Sequence, residues 1–207
     1  MLDLSSCVEE VSMKLRRKAQ EDEATREAIE REGLEKIAKN ACLLIEGAKK
    51  WEETTSEFKR RGLYTEGDAR PLNSVILAKE GTIEMTVGSS PGHRTRVNLN
   101  KMELRYYDSD RDVNWVMRKL FEDVGAKCED DDEGVFCDIS GLSEEDIINR
   151  LFPRIAAATS MDIRMNNRGE DWKESEPEIF DKCSDLSERE DFELCAVREL
   201  LKKMGSY

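Results

Sequence analysis

Apolar positions in the N-terminal part of the chain recur at helical spacing: Val8, Val11 and Leu15, then Ile37, Ala41, Leu44, Ala48 and Trp51, with Phe58 a heptad beyond. Alternating steps of four and three from Ile37 to Trp51 make the narrow stripe of a helix that packs on another helix. The spacing predicts helices over 4–31 and 34–61 that meet or bend near Gly33. The first is only partly buried, because "QEDEATREAIEREGLEK" is dense in charge. Such a hairpin closes a core or forms a dimer seam.

The segment "RRGLYTEGDARPLN" stops the helix with glycines and a proline, and the period then changes to two. Ile83, Met85 and Val87 alternate with Thr82, Glu84 and Thr86. Thr95, Val97 and Leu99 alternate with Arg94, Arg96 and Asn98. Met102, Leu104 and Tyr106 alternate with Glu103, Arg105 and Tyr107, after a change of phase at Asn100-Lys101. That change requires a turn or bulge, since an unbroken strand would send half of its apolar positions into water. With "SVILAK" ahead of them, these segments read as an antiparallel meander of three or four strands.

Ser109 with Asp112 reads as a capping box opening a helix with a Val113, Val116, Leu120, Val124 stripe and a stop at Gly125. A hairpin over "KCEDDDEGVFCDI" follows. Ser143 with Asp146 opens the next helix, which Pro153 is expected to kink or end. "MDIRM" reads as a last short strand, 166–186 as polar loop, and Ser187 with Glu190 as the cap of a closing helix that stops at Gly205. Strands in consecutive blocks predict an α+β fold: an N-terminal helical hairpin, an antiparallel sheet of about four to six strands with helices on one face, and a C-terminal helix. The organisation expected is 1–62 as helical hairpin or dimerisation segment, 63–165 as α+β core and 166–207 as polar loop and helix.

Composition narrows the function. Hydrophobic and charged residues each make up 38% of the 207 positions, and the net charge is −13. That charge opposes sequence-independent attraction to nucleic acid or an anionic membrane. There is no apolar run long enough to span a bilayer, and "MLDLSSCVEE" is no signal segment, so a cytoplasmic address is expected. In that setting the six cysteines are expected as free thiols, with Cys128 and Cys137 opposite one another across the hairpin and open to pairing.

No motif specifies a chemistry or implies a cofactor. "EDDDEG" and "DSDRD" fail the calcium-loop test at the glycine or last-ligand position. The spacing of Cys128, Cys137, Cys183 and Cys195 lacks the tight knuckles of structural zinc sites. The single histidine, His93, has no local carboxylate or nucleophile, and "GSSPGHRT" matches neither phosphate-binding glycine fingerprint.

A local basic island stands out. His93, Arg94, Arg96, Lys101, Arg105 and Tyr107 cluster where Glu103 is the only acid between 88 and 107. Strand alternation gives Arg94, Arg96 and Asn98 one polar face, and Arg105 and Tyr107 that of the next strand. Guanidinium groups beside an aromatic can hold an anion or stack a base, or can pair with the chain's own acids. The function expected is a non-enzymatic binding or regulatory protein that uses this patch and self-associates through its N-terminal helices. Its partner would be a protein or a nucleic acid, not a membrane. A second reading is an acidic nucleic-acid mimic.

"GLYTEGDA", followed by strands, "VMRKLFEDVGAKC", a hairpin and "DIINRLFPRI", resembles the half-domain of the LAGLIDADG homing endonucleases over roughly residues 50–158. The resemblance implies the order helix, strand, strand, helix, strand, strand, helix. It also implies a divalent-metal-dependent nuclease with Glu66 or Asp68 as ligand, working as a dimer.

Overall fold

The computed structural model describes residues 3–63, 70–71, 82–86, 93–160 and 170–207. The fold is α+β, with all sheet pairings antiparallel. Helices α1 (Ser5–Glu21), α2 (Glu23–Glu32) and α3 (Leu34–Arg60) lead into strands β1 (Arg70–Pro71), β2 (Thr82–Thr86), β3 (His93–Asn98) and β4 (Glu103–Asp108). Helix α4 (Arg111–Glu122) crosses to the hairpin β5 (Lys127–Asp131) and β6 (Gly134–Asp138). Among the described strands the sheet order is β1-β2-β3-β4-β6-β5, with β5 at one edge.

The N-terminal part holds three helices rather than two. The break at Asp22 has a local cause: its backbone is extended, and its carboxylate accepts from the Thr25 hydroxyl at 2.5 Å. An Asp side chain that competes for nearby groups favours a helix start over a helix interior. The stripe itself is buried within the chain: Val11 and Leu15 on α1, and Ile37, Ala41, Leu44, Trp51 and Phe58 on α3, belong to one apolar cluster that continues through the sheet to Leu201.

The turn between β3 and β4 falls where the phase changes, with Met102 at φ 55°. Val97, Leu104, Tyr106, Val135 and Cys137 are buried on the side of the sheet that meets α4 and helix α6 (Phe152–Ser160). Tyr106 sets its ring edge-on to Phe121 of α4 at 6.1 Å. The chain then enters α4 one residue later than the capping box predicts. Asp110 is the cap, accepting from the Asp112 N–H at 2.9 Å.

Ser143 and Asp146 do form a capping box, at the start of the short helix α5 (Glu144–Asp146). A π turn over Ile147–Leu151 follows, and α6 begins beyond it. Pro153 supplies the reason. It has no N–H for the carbonyl four residues back and its ring crowds that carbonyl, so the turn widens and the Phe152 N–H reaches Ile147 O instead. The helix therefore continues through the proline.

The expected polar loop over 166–186 is the largest correction. Its described part folds as α7 (Glu170–Ser175) and α8 (Pro177–Cys183), ahead of α9 (Arg189–Lys203). Trp172, Ile179 and Cys183 are buried, and the Trp172 indole N–H donates to the Glu193 carboxylate at 3.3 Å. Few apolar residues suffice here because each is large or cross-linked. The Ser187 cap is not used either: Glu188 occupies the cap position without a side-chain hydrogen bond. The strands expected from "SVILAK" and "MDIRM" lie outside the described residues.

The free-thiol expectation is overturned. All six cysteines are bonded: Cys7 to Cys42, joining α1 to α3; Cys128 to Cys137, across the β5–β6 hairpin; and Cys183 to Cys195, joining α8 to α9. A sequence shows that cysteines are present. It does not show that helices will bring Cys7 and Cys42 to a Cα separation of 6.0 Å.

Candidate interaction surface

Antiparallel register builds the site. Arg96 lies opposite Arg105, which lies opposite Phe136, which lies opposite Glu129; one step along, Arg94 lies opposite Tyr107. These positions alternate with the buried set, so they share the sheet face turned away from α4. On that face Arg96 is exposed, Arg105 and Phe136 are half-buried, and Tyr107 retains 40% of its accessible surface. The side chains of His93 and Arg94 lie outside the described residues, as do the loop ahead of them and Glu66 and Asp68. Lys101 is exposed at the β3–β4 turn, the opposite end of that hairpin from Tyr107.

Arg105 is the centre of the face. Its guanidinium lies over the Phe136 ring at 4.9 Å, donates to Asp131 at 2.8 Å and comes within 3.3 Å of Glu133. The hydrogen bond from Arg105 holds the Asp131 carboxyl below its ordinary range. The island is thus partly neutralised from within: the acidic hairpin reaches across to one of its arginines. Charge counting along the chain misses this, because Arg105 and Asp131 are 26 residues apart.

A second feature adjoins the face. Between the end of β4, the start of α4, the tip of the β5–β6 hairpin and the start of α9 lies a cleft of about 700 Å³. Its walls include Tyr107, Trp115, Asp112, Asp132 and Glu190. Asp108, buried at the base of α4, accepts from the Asp110 N–H at 2.8 Å, and Asn114 clasps its backbone at 2.8 and 2.9 Å. The two acidic runs are far apart in sequence, and neither is a calcium loop by itself. Their approach to one another follows from topology, because both flank α4 and the helix returns the chain to the same sheet. Among the described residues no group of three or more His, Cys, Asp or Glu side chains is placed to hold a metal ion.

From α3 to α6 the described elements run helix, four strands, helix, two strands and helix, two strands more than the homing-endonuclease resemblance implies. No family model, curated protein or solved structure matches the chain.

Proposed function

We propose that this protein is a non-enzymatic binding or regulatory protein that docks a protein partner on the sheet face turned away from α4. The observation that carries the reading is Arg105 stacked on Phe136 beside the exposed Tyr107. Arginine and aromatic side chains are the residues that protein interfaces concentrate, and a guanidinium already paired with Asp131 has less to offer a phosphate. This favours a protein over a nucleic acid as the partner.

Three disulfides bear on where the protein works. Such bonds persist in oxidising compartments and, inside cells, chiefly in hyperthermophiles. A cytoplasmic address is retained only for a cell of the second kind.

The test places a photo-crosslinking amino acid at position 107 and irradiates it in native lysate with and without nuclease. A protein adduct that survives nuclease and disappears in Arg105→Glu supports the reading. Adducts to nucleic acid alone, or protein adducts unchanged by Arg105→Glu, reject it.

A further inference from the structure

We infer that the outer edge of β5 is a docking site for an extended, Lys/Arg-rich segment of another protein, which adds to the sheet as a further strand. This surface meets the sheet face at the cleft, but the strand edge is a different set of groups, and its docking does not depend on that face binding a partner.

The backbone supplies the first part of the argument. Among the described residues β5 is an edge strand of the sheet, and its strand partner there is β6. Cys128 and Cys137 lie opposite one another with Cα atoms 4.1 Å apart, the spacing of a pair that exchanges no backbone hydrogen bonds. Lys127, Glu129 and Asp131 therefore bond to β6, while Cys128 and Asp130 turn their N–H and C=O groups outward. No turn, loop or cap bond among the described residues reaches those outward groups. The Cys128–Cys137 bond fixes the strand's register, so the edge is presented without the slippage that weakens exposed strands.

The side chains select the occupant. Five consecutive acids, Glu129 to Glu133, run along the edge and around the hairpin tip. Asp130 is answered by Arg118 of α4 at 2.6 Å and Asp131 by Arg105. At the tip, the cleft sets Asp132 near two further acids, Asp112 and Glu190, and none of the three forms an ion pair among the described residues. Like charge at this density opposes edge-to-edge pairing with a second copy, which is how sheet proteins guard open edges. The same charge favours a basic strand, whose backbone would meet Cys128 and Asp130 and whose cations would reach the cleft. Strand addition of this kind draws affinity from main-chain hydrogen bonds and selectivity from side chains.

The experiment uses the oxidised full chain and two ten-residue peptides, one alternating lysine with valine and one alternating glutamate with valine. The lysine peptide is expected to bind in low salt and to slow amide exchange at Cys128 and Asp130 at least tenfold. Asp130→Pro removes an outward N–H and leaves the β5–β6 bonds, so binding is expected to fall at least tenfold. Should that variant melt early, Glu129→Gln with Asp130→Asn and Asp132→Asn is expected to weaken binding at least fivefold. Binding that leaves the two amides unprotected, or equal binding of the glutamate peptide, overturns the proposal. So does protection that grows with protein concentration alone, which would make a second copy the occupant.

Discussion

The ring of Phe152 occupies the place where a side chain on Gly47 would begin: a Cβ built there falls inside the van der Waals envelope of the ring. A glycine inside a 27-residue helix costs about 1 kcal/mol relative to alanine. Here the missing methyl lets α6 press against α3. Gly47→Ala is expected to destabilise the fold by about 2 kcal/mol, since overfilling a packed core costs more than helix propensity returns. Gly141→Ala, with open space around it, is the control and should leave the melting temperature unchanged.

The disulfides should differ in weight. Loop closure predicts that opening Cys7–Cys42, with a sequence separation of 35, costs about 4 kcal/mol. Opening Cys128–Cys137 or Cys183–Cys195, with separations of 9 and 12, costs about 3 kcal/mol each. Paired Cys→Ser variants followed by denaturant titration give the order. Thiol counting on unfolded, non-reduced protein should return no free thiol.

Arg154 and Arg198 carry the same charge with opposite consequences. Arg198 grips the Asp123 carboxylate with two bonds of 2.7 and 2.8 Å, which raises its pKa above the ordinary value. Arg154 is fully buried and, among the described residues, donates to backbone at Arg150 O and Ser206 O, while its Nε and Nη2 lack partners there. Burial pushes its pKa down to about 10. Arg198→Met should cost about 3 kcal/mol by leaving Asp123 unpaired, whereas Arg154→Met should be neutral or stabilise by about 1 kcal/mol. Unfolding free energies at neutral pH decide between these signs.

Glu176 links acid stability to the junction of α3 with the C-terminal helices. Burial opposes its ionisation, but hydrogen bonds from Lys203 at 2.7 Å and from Arg61 outweigh burial and lower its pKa. The folded value lies below the unfolded one, so the stabilisation is fully present above about pH 4.3 and is lost as pH falls through the folded value. Glu176→Gln should cost about 2 kcal/mol at pH 7, and the difference from wild type should vanish in strong acid. Denaturant titrations from pH 7 down into strong acid follow the loss.

Periodicity made the buried stripe of α3, the phase change before β4 and the capping box at Ser143 legible, because each depends on neighbours within a turn or a strand. The break at Asp22 and the helices α7 and α8 were not. There, one side chain's hydrogen bond or one buried Trp172 outweighs a run of polar neighbours. For the candidate surface, alternation placed Arg96, Arg105 and Tyr107 together. What it could not supply was Asp131 on Arg105, or the meeting of two acidic runs in one cleft, since both depend on how α4 brings β5 and β6 back beside β4.

The three covalent bridges close short stretches of chain, and none ties the N-terminal helices to the sheet or the sheet to α9. Pulled from its two ends, the oxidised protein would lengthen less than its residue count allows. The segment locked by Cys7–Cys42 alone withholds roughly 120 Å of contour. The forces between the three bridged regions would still be borne by noncovalent packing, so they can be parted mechanically without breaking a covalent bond.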